Sequence, residues 1–206
     1  LVKKDFRNII LRYFILRSTN LSDYILIQLS HLKDYLPSND QKKIIEIGEI
    51  IEKSVPLSNS NKGIVCFASD IPNKNFEFIL KVLKKINSPE LVTIINPKEK
   101  IKDFKCVTTT NNEETMEVLS QNEIYFHASE FETVGLPLYE AQDLGLKVVA
   151  PNNPYTQYFD KDSTFLYKSN DVIDAVQTIE LASSTKTKNI RALDYSENWG
   201  KVLSKI

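Results

Sequence analysis

One segment restricts the fold of this chain more than any other. A short β-rich run, Glu123-Ile124-Tyr125-Phe126-His127, leads through a polar turn into a helical stretch opened by Pro137 and closed by Gly145, and Lys147 to Ala150 then resumes an apolar run. Proline suits a first helical position, where its missing N–H has no partner in any case, and glycine suits a helix stop. The order strand, loop, helix, strand makes a β-loop-α-β unit of a parallel sheet. In such a sheet the loop lies at the carboxyl ends of the strands, where ligands bind. The helix behind it offers unpaired N–H groups suited to a phosphate. Gly135 lets backbone come close to that ligand.

The same alternation continues along the chain. Ile64 to Ala68 reads as a buried strand, Ser69 to Asn75 as a loop, and Phe76 to Ile86 as a helix. Leu91 to Ile95, Phe104 to Thr108 and Thr164 to Tyr167 read as strands. Glu113 to Ser120, Asn153 to Phe159, Asp171 to Ala182 and Arg191 to Ile206 read as helices, the second of them short. Upstream, Phe6 to Leu16 has helical spacing, Asp23 to Ser30 reads as a strand that enters a helix ending at Tyr35, and Lys43 to Gly48 reads as a further strand. Ser58 to Gly63 is a polar, turn-rich linker. The expected class is α/β, a Rossmann-like parallel sheet with helices on both faces.

Two carboxylates flank the turn. Glu132 lies in the loop and Glu140 about one turn into the helix, so both can face one pocket while the backbone amides hold an anion. A carboxylate accepts two hydrogen bonds and matches a pair of sugar hydroxyls, whereas it is a poor partner for phosphate. Hydroxyls together with phosphate suggest a nucleotide sugar. Each glutamate alone is equally compatible with a plainer role, Glu140 complementing a helix dipole and Glu132 a solvated loop position. His127 reads as a hydrogen-bonded structural histidine at a strand end, with a general-base role as the alternative. Thr108-Thr109-Thr110 follows a strand at the ligand-facing end and offers a place for a base without identifying it.

The stretch Ser129-Glu130-Phe131-Glu132-Thr133-Val134-Gly135-Leu136-Pro137-Leu138-Tyr139-Glu140-Ala141, with seven residues between Glu132 and Glu140, resembles the signature of retaining glycosyltransferases of family 4 and their relatives. These enzymes set two Rossmann-like domains across a cleft, the GT-B fold, with the donor bound mainly by the C-terminal one. The resemblance implies that Glu140 holds the donor ribose and that Glu132 lies by the donor sugar and its leaving phosphate. It implies that Val134, Gly135 and Leu136 contact sugar and phosphate through backbone, and that Thr109 stands at the base site. Upstream, Ala68-Ser69-Asp70-Ile71-Pro72-Asn73-Lys74-Asn75 is similar to the family's Gly-Arg-x-x-Pro-x-Lys-Asn, whose Arg and Lys neutralise the diphosphate. Lys74 matches, whereas Ser69 stands for the Arg and Ala68 for the Gly, so half of that positive charge is absent here.

By the same resemblance, residues 1–48 look like the end of an N-terminal, acceptor-side domain with an interdomain strand, and thus the remnant of a second Rossmann-like domain. Residues 49–62 would be a linker, 63–185 the donor-binding domain and 186–206 a C-terminal helix, with Trp199 a packing residue in a segment similar to the family's aromatic-Ser-Trp end. The implied substrate is a UDP- or GDP-sugar, used without a cofactor or a metal site. The implied acceptor is a carbohydrate or lipid-linked hydroxyl, in polysaccharide or glycoconjugate biosynthesis. Most of the acceptor half is missing from such an arrangement, so the fragment alone is expected to be inactive. Any peripheral membrane contact is expected through the missing N-terminal region.

Composition narrows the alternatives. The chain has 206 residues and 42% hydrophobic content, enough for one good core, and its 26 Lys+Arg nearly cancel 27 Asp+Glu. A balanced charge gives no support for nucleic-acid binding. No segment is long and apolar enough to span a membrane and no leader is apparent, and Cys66 and Cys106 read as buried free thiols, so the expected compartment is cytoplasmic. Two other classes remain open: a non-catalytic nucleotide- or partner-binding module derived from a glycosyltransferase, which Ser69 favours, and a sugar-nucleotide epimerase of the same architecture.

Overall fold

The computed structural model describes residues 21–22, 24–27, 30–36, 43–46 and 63–186. The chain divides into two compact units, one of residues 1–50 with 194–206 and one of residues 51–193. The helix expected from Phe6, most of the linker from Ser58 and the last helix with Trp199 lie outside the described residues.

In the first unit, β1 (Ile25–Ile27) and β2 (Ile44–Glu46) pair in parallel, Ile25 opposite Ile44. The run that reads as an interdomain strand thus carries β2. The stretch Ser30–Tyr35 is a 3-10 helix, tied to the end of β2 because Ser30 Oγ and Lys33 Nζ both donate to Glu46 Oε2.

The second unit runs β3 (Ile64–Phe67), α1 (Phe76–Leu83), β4 (Val92–Ile95), β5 (Lys105–Val107), α2 (Asn112–Ser120), β6 (Ile124–Phe126), α3 (Leu136–Asp143), β7 (Lys147–Pro151), β8 (Thr164–Tyr167) and α4 (Val172–Ser184). Its six strands are ordered β5-β4-β3-β6-β7-β8, every pair parallel. The chain therefore starts at the centre, builds outward through β4 and β5, then returns to the other side of β3 to lay down β6, β7 and β8. The reversal opens a crevice between the carboxyl ends of β3 and β6, where doubly wound sheets bind their ligands.

A parallel sheet covered on both faces needs strands that are apolar on consecutive residues. Val65, Val92, Ile94, Ile95, Ile124, Tyr125, Phe126, Val148, Val149 and Ala150 are all 2% exposed or less. Each large side chain so buried contributes about 1.5–3 kcal/mol. On one face α1 lays down Phe78, Ile79, Val82 and Leu83, and α4 lays down Ala175, Ile179 and Ala182, in a common core with Cys66, Phe126 and Tyr167. Phe78 stacks on Tyr167 with ring centroids 5.8 Å apart.

Local chemistry sets the ends. Asp171 caps α4 by accepting from the N–H groups of Ile173 and Asp174, and Asn111 caps α2 by accepting from that of Glu114. Helix α1 ends at Leu83 rather than Ile86, because the amides of Lys85 and Ile86 turn back to carbonyls three residues earlier. Pro89–Leu91 forms a 3-10 turn, so the next strand opens at Val92 and not at Leu91. Pro154–Tyr158 is likewise a 3-10 helix. Lys147 is buried, its ammonium donating at 2.7 Å both to Glu123 Oε1 and to the carbonyl of Ala182 near the end of α4, where a cation is favoured.

Candidate active site

Two loops border the crevice. After β3, Ser69 Oγ accepts from the Ile71 N–H at 3.2 Å, and the 3-10 turn Pro72–Lys74 closes with Asn75 in the left-handed region at φ 54. The Asn75 carbonyl then accepts from the Phe78 and Ile79 amides, so Lys74 sits directly before α1. The second loop, after β6, has no secondary structure of its own and is held by side chains reaching its backbone. Asn73 Nδ2 donates to Phe131 O at 3.0 Å, and the Glu130 N–H donates to Asn73 O at 2.7 Å. Tyr155 donates its hydroxyl to Ser129 O at 2.5 Å, Tyr167 donates to His127 O at 2.9 Å, and Asn153 Nδ2 donates to Glu130 O at 3.2 Å. Satisfied polar groups of this kind hold a loop in one geometry.

Between the loops lies a cavity of about 170 Å³, lined among others by Phe67, Ser69, Lys74, Tyr125, His127 and Pro137. Lys74 Nζ donates to Glu132 Oε1, and His127 Nε2 lies 3.3 Å from the same oxygen. Burial by itself would raise the Glu132 carboxyl, but the His127 and Lys74 groups against it outweigh that and bring it down to about 2. His127 moves down from its ordinary value, chiefly through burial, which outweighs the attraction of Glu132, while Lys74 pushes it further down. Tyr125 Oη lies 3.1 Å from His127 Nδ1, and burial, followed by the Glu132 charge, pushes the Tyr125 phenol far up, so it keeps its proton.

A larger cavity of about 490 Å³ opens at the other end of the sheet, lined among others by Gly63, Leu91, Glu123, Ile179 and Ser183. It lies at the amino ends of β3 and β6, away from Lys74, Glu132 and His127. The smaller cavity sits at the switch point and carries the charges, which makes it the candidate site.

Gly135 caps α3 at φ 79 without a side-chain cap, and Pro137, in the first turn, lines the cavity. The amino end of α3 therefore borders the site, as an anion requires. A Cβ at Gly135 would stand 2.6 Å from Leu138 Cδ1 in a backbone conformation that L side chains rarely adopt. Val134 buries its side chain and Leu136 is 48% exposed. Glu140 is half-buried on α3, and burial, then the charge of Asp143, raises its carboxyl above the ordinary value.

Thr109 stands apart from this cluster, beyond β5 and so two strands from β3. Its N–H donates to Asn96 Oδ1 at 2.7 Å, and its hydroxyl lies 3.1 Å from Asn96 Nδ2 and 2.9 Å from Thr115 Oγ1. Cys66 is buried and its thiol pushed up by that burial, whereas Cys106, expected to be buried, is only half-buried. Against the expectation of no Asp-x-Asp metal motif, the chain has that spacing at Asp160-Lys161-Asp162. Asp160 instead accepts from Ser163 Oγ at 2.9 Å and from the Asp162 N–H at 3.4 Å, and no metal-ligating cluster occurs among the described residues. The contacts of Asn73, Asn96 and Tyr125 carry no signal in the sequence beyond, for Asn96, an amide before a proline, a residue type that tolerates its φ of 54.

The family model described as "Glycosyl transferases group 1" matches residues 49–200. No curated protein matches the sequence. Among solved structures, a mutant of S. aureus TarM in complex with fondaparinux, alpha-GlcNAc-glycerol and UDP is similar at TM-score 0.69 and 14% identity, covering 94% of this chain and 43% of that one. The pneumococcal O-GlcNAc transferase GtfA in complex with UDP and GlcNAc gives TM-score 0.64 and 17% identity over 93% of this chain and 44% of that one. The catalytic domain of starch synthase IV from Arabidopsis thaliana, bound to ADP and acarbose, gives 0.70 and 11% over 93% and 56%. At these identities the likeness is one of fold, and the chain spans about half the length of the proteins it resembles.

Proposed function

Because the chain belongs to the glycosyl transferases of group 1, we propose that it carries the donor-binding half of a retaining enzyme that moves a sugar from a nucleoside diphosphate to a hydroxyl acceptor. The observation that supports this most is the contact of Lys74 and His127 with Glu132 at the switch point of the sheet, beside the amino end of α3, which Gly135 caps without a side chain. Charge develops on the departing diphosphate in the transition state, and a lysine with helix-terminal amides is suited to meet it. Glu140, about one turn along α3, accepts the ribose hydroxyls, and Gly135 lets the backbone close on the donor. UDP and GDP are the expected nucleotides, with Thr109 bordering the base and no cofactor or metal taking part. The acceptor is a carbohydrate or lipid-linked hydroxyl of polysaccharide or glycoconjugate synthesis. The cytoplasm, where thiols such as Cys66 and Cys106 stay reduced, is the compartment assigned.

Residues 63–185 form the donor domain in this reading, residues 1–48 end the acceptor-side domain across a linker at 49–62, and 186–206 close the chain. Transfer needs an acceptor held against the donor carbon in a cleft closed to water, so these 206 residues alone bind the donor and do not turn it over. Calorimetry with UDP, GDP and ADP, followed by turnover of labelled donors with and without an added N-terminal domain, tests both statements. Absence of nucleotide binding would sink the first, and robust transfer by the isolated chain the second. Ser69 in place of arginine favours a second reading, a binding module without transfer, in which the added domain restores no turnover.

A further inference from the structure

The proposed reaction gives the ring nitrogens of His127 no role of their own. The side chain is 6% exposed, it lines the cavity, and its buried Nε2 has no hydrogen-bond partner among the described residues. Glu132 Oε1, at 3.3 Å, does not complete a hydrogen bond with it and already accepts from Lys74. On the other side of the ring, Tyr125 Oη stands 3.1 Å from Nδ1. A phenol that keeps its proton donates it to Nδ1, which assigns the remaining ring proton to Nε2. The neighbouring carboxylate favours the same tautomer, since a bare Nε2 would set a lone pair against an anion.

His127, on the cavity wall, therefore offers a neutral N–H donor, with an ionised oxygen of the largely buried Glu132 3.3 Å from it. A phosphate oxygen accepts only, and at this place it would meet the Glu132 charge. A hydroxyl accepts from one neighbour and donates to the other. Leaving a buried donor unsatisfied is unfavourable, so a group that completes it is bound selectively. We propose that His127 and Glu132 together read a hydroxyl of the transferred sugar, with His127 Nε2–H as donor, which makes His127 a specificity-determining residue of the donor site. This rests on the nucleotide-sugar reading of that site, and it adds a direct sugar contact from the end of β6.

The test separates sugar from diphosphate. Affinities of UDP, GDP and ADP are measured by calorimetry beside those of UDP-glucose, UDP-N-acetylglucosamine, GDP-mannose and ADP-glucose, for the wild-type chain and for His127→Phe and His127→Gln. Loss of the N–H in His127→Phe weakens the sugar nucleotides by about 5–10-fold, the scale of one neutral hydrogen bond, and leaves the free diphosphates within about twofold. Gln, whose amide can donate from a similar place, recovers most of the loss. Equal weakening of diphosphates and sugar nucleotides, or no weakening of either, overturns the proposal. If no nucleotide binds the wild type, the reading of the whole site falls and this inference with it. Should His127→Phe fail to fold, nitrogen-15 NMR of the wild-type imidazole decides: protonation at Nε2 supports the proposal, and protonation at Nδ1 overturns it.

Discussion

Lys74 and Glu132, 58 residues apart in the chain, are hydrogen-bonded to one another across the crevice between β3 and β6. Each side chain is one that the donor is expected to meet. Removing the cation leaves a mostly buried carboxylate short of a partner, so Lys74→Met should destabilise the fold by about 1–3 kcal/mol and lower diphosphate affinity by about tenfold or more. Chemical denaturation and calorimetry on the same samples check both. An unchanged diphosphate affinity would remove Lys74 from the leaving-group role.

Ser69 lines the same cavity, and its hydroxyl accepts from the Ile71 amide two residues on. Diphosphate binding should therefore be weak in the wild type, and Ser69→Arg should tighten it because a fork of donors meets two phosphates. Nucleoside affinity should hardly change. Titration of UDP and uridine against both proteins makes the comparison, and an unaltered UDP affinity would mean that another cation serves this position.

Glu140→Gln should weaken nucleotide binding by about 1–3 kcal/mol, the scale of charge-assisted hydrogen bonds to ribose. The wild-type carboxyl is raised by burial and by Asp143, so on acidification it protonates earlier than an ordinary glutamate. Nucleotide affinity should accordingly begin to fall at a higher pH in the wild type than an ordinary carboxylate would give, and this dependence should vanish in the variant. Equal affinity of the two proteins at neutral pH would take Glu140 out of the ribose role.

The pH dependence of stability follows from Glu132 and His127. Both are lowered in the folded chain, so each binds its proton less readily folded than unfolded, and stability is lost as pH falls. For His127 the loss begins below the ordinary histidine value of 6.5. For Glu132 it falls between 4.5 and about 2. Urea midpoints recorded from pH 8 to pH 2 should drop in both windows. Glu132→Gln should flatten the lower window relative to wild type and His127→Gln the upper; identical profiles would disprove the assignment.

Much of this architecture was legible because it rests on local rules. Pro137 and Gly145 marked both ends of α3, the consecutive apolar residues of β6 and β7 announced a sheet buried on both faces, and Asp171 stood where a cap is needed. The placement of Lys74 and Glu132 in the loops after β3 and β6 also came from the sequence. Their direct contact did not, since it depends on β3 lying beside β6, a pairing that periodicity does not encode. The same holds for Asn73, which reaches Phe131 across 58 residues, and for Asn96, whose Oδ1 accepts from the N–H of Thr109. The place of His127 at a strand end suggests a structural histidine; the state of its Nε2 depends on Tyr125 and Glu132, which only the fold brings beside it. The 3-10 helices at Ser30–Tyr35 and Pro154–Tyr158 are six and five residues long, too short for residue spacing to tell them from α-helix.

The pairing of β3 with β6 joins segments separated by the whole of β4, β5, α1 and α2. A chain caught with only its first half assembled would own Lys74 but not Glu132, and would have no ordered second loop and no α3 to bring an anion in. Closing so long an excursion is the entropically demanding step of assembly, and the site comes into being after it. A nucleotide can then slow the opening of the finished sheet without helping to form it. Refolding rates should be the same with and without nucleotide, and a chevron recorded both ways should separate on its unfolding arm alone.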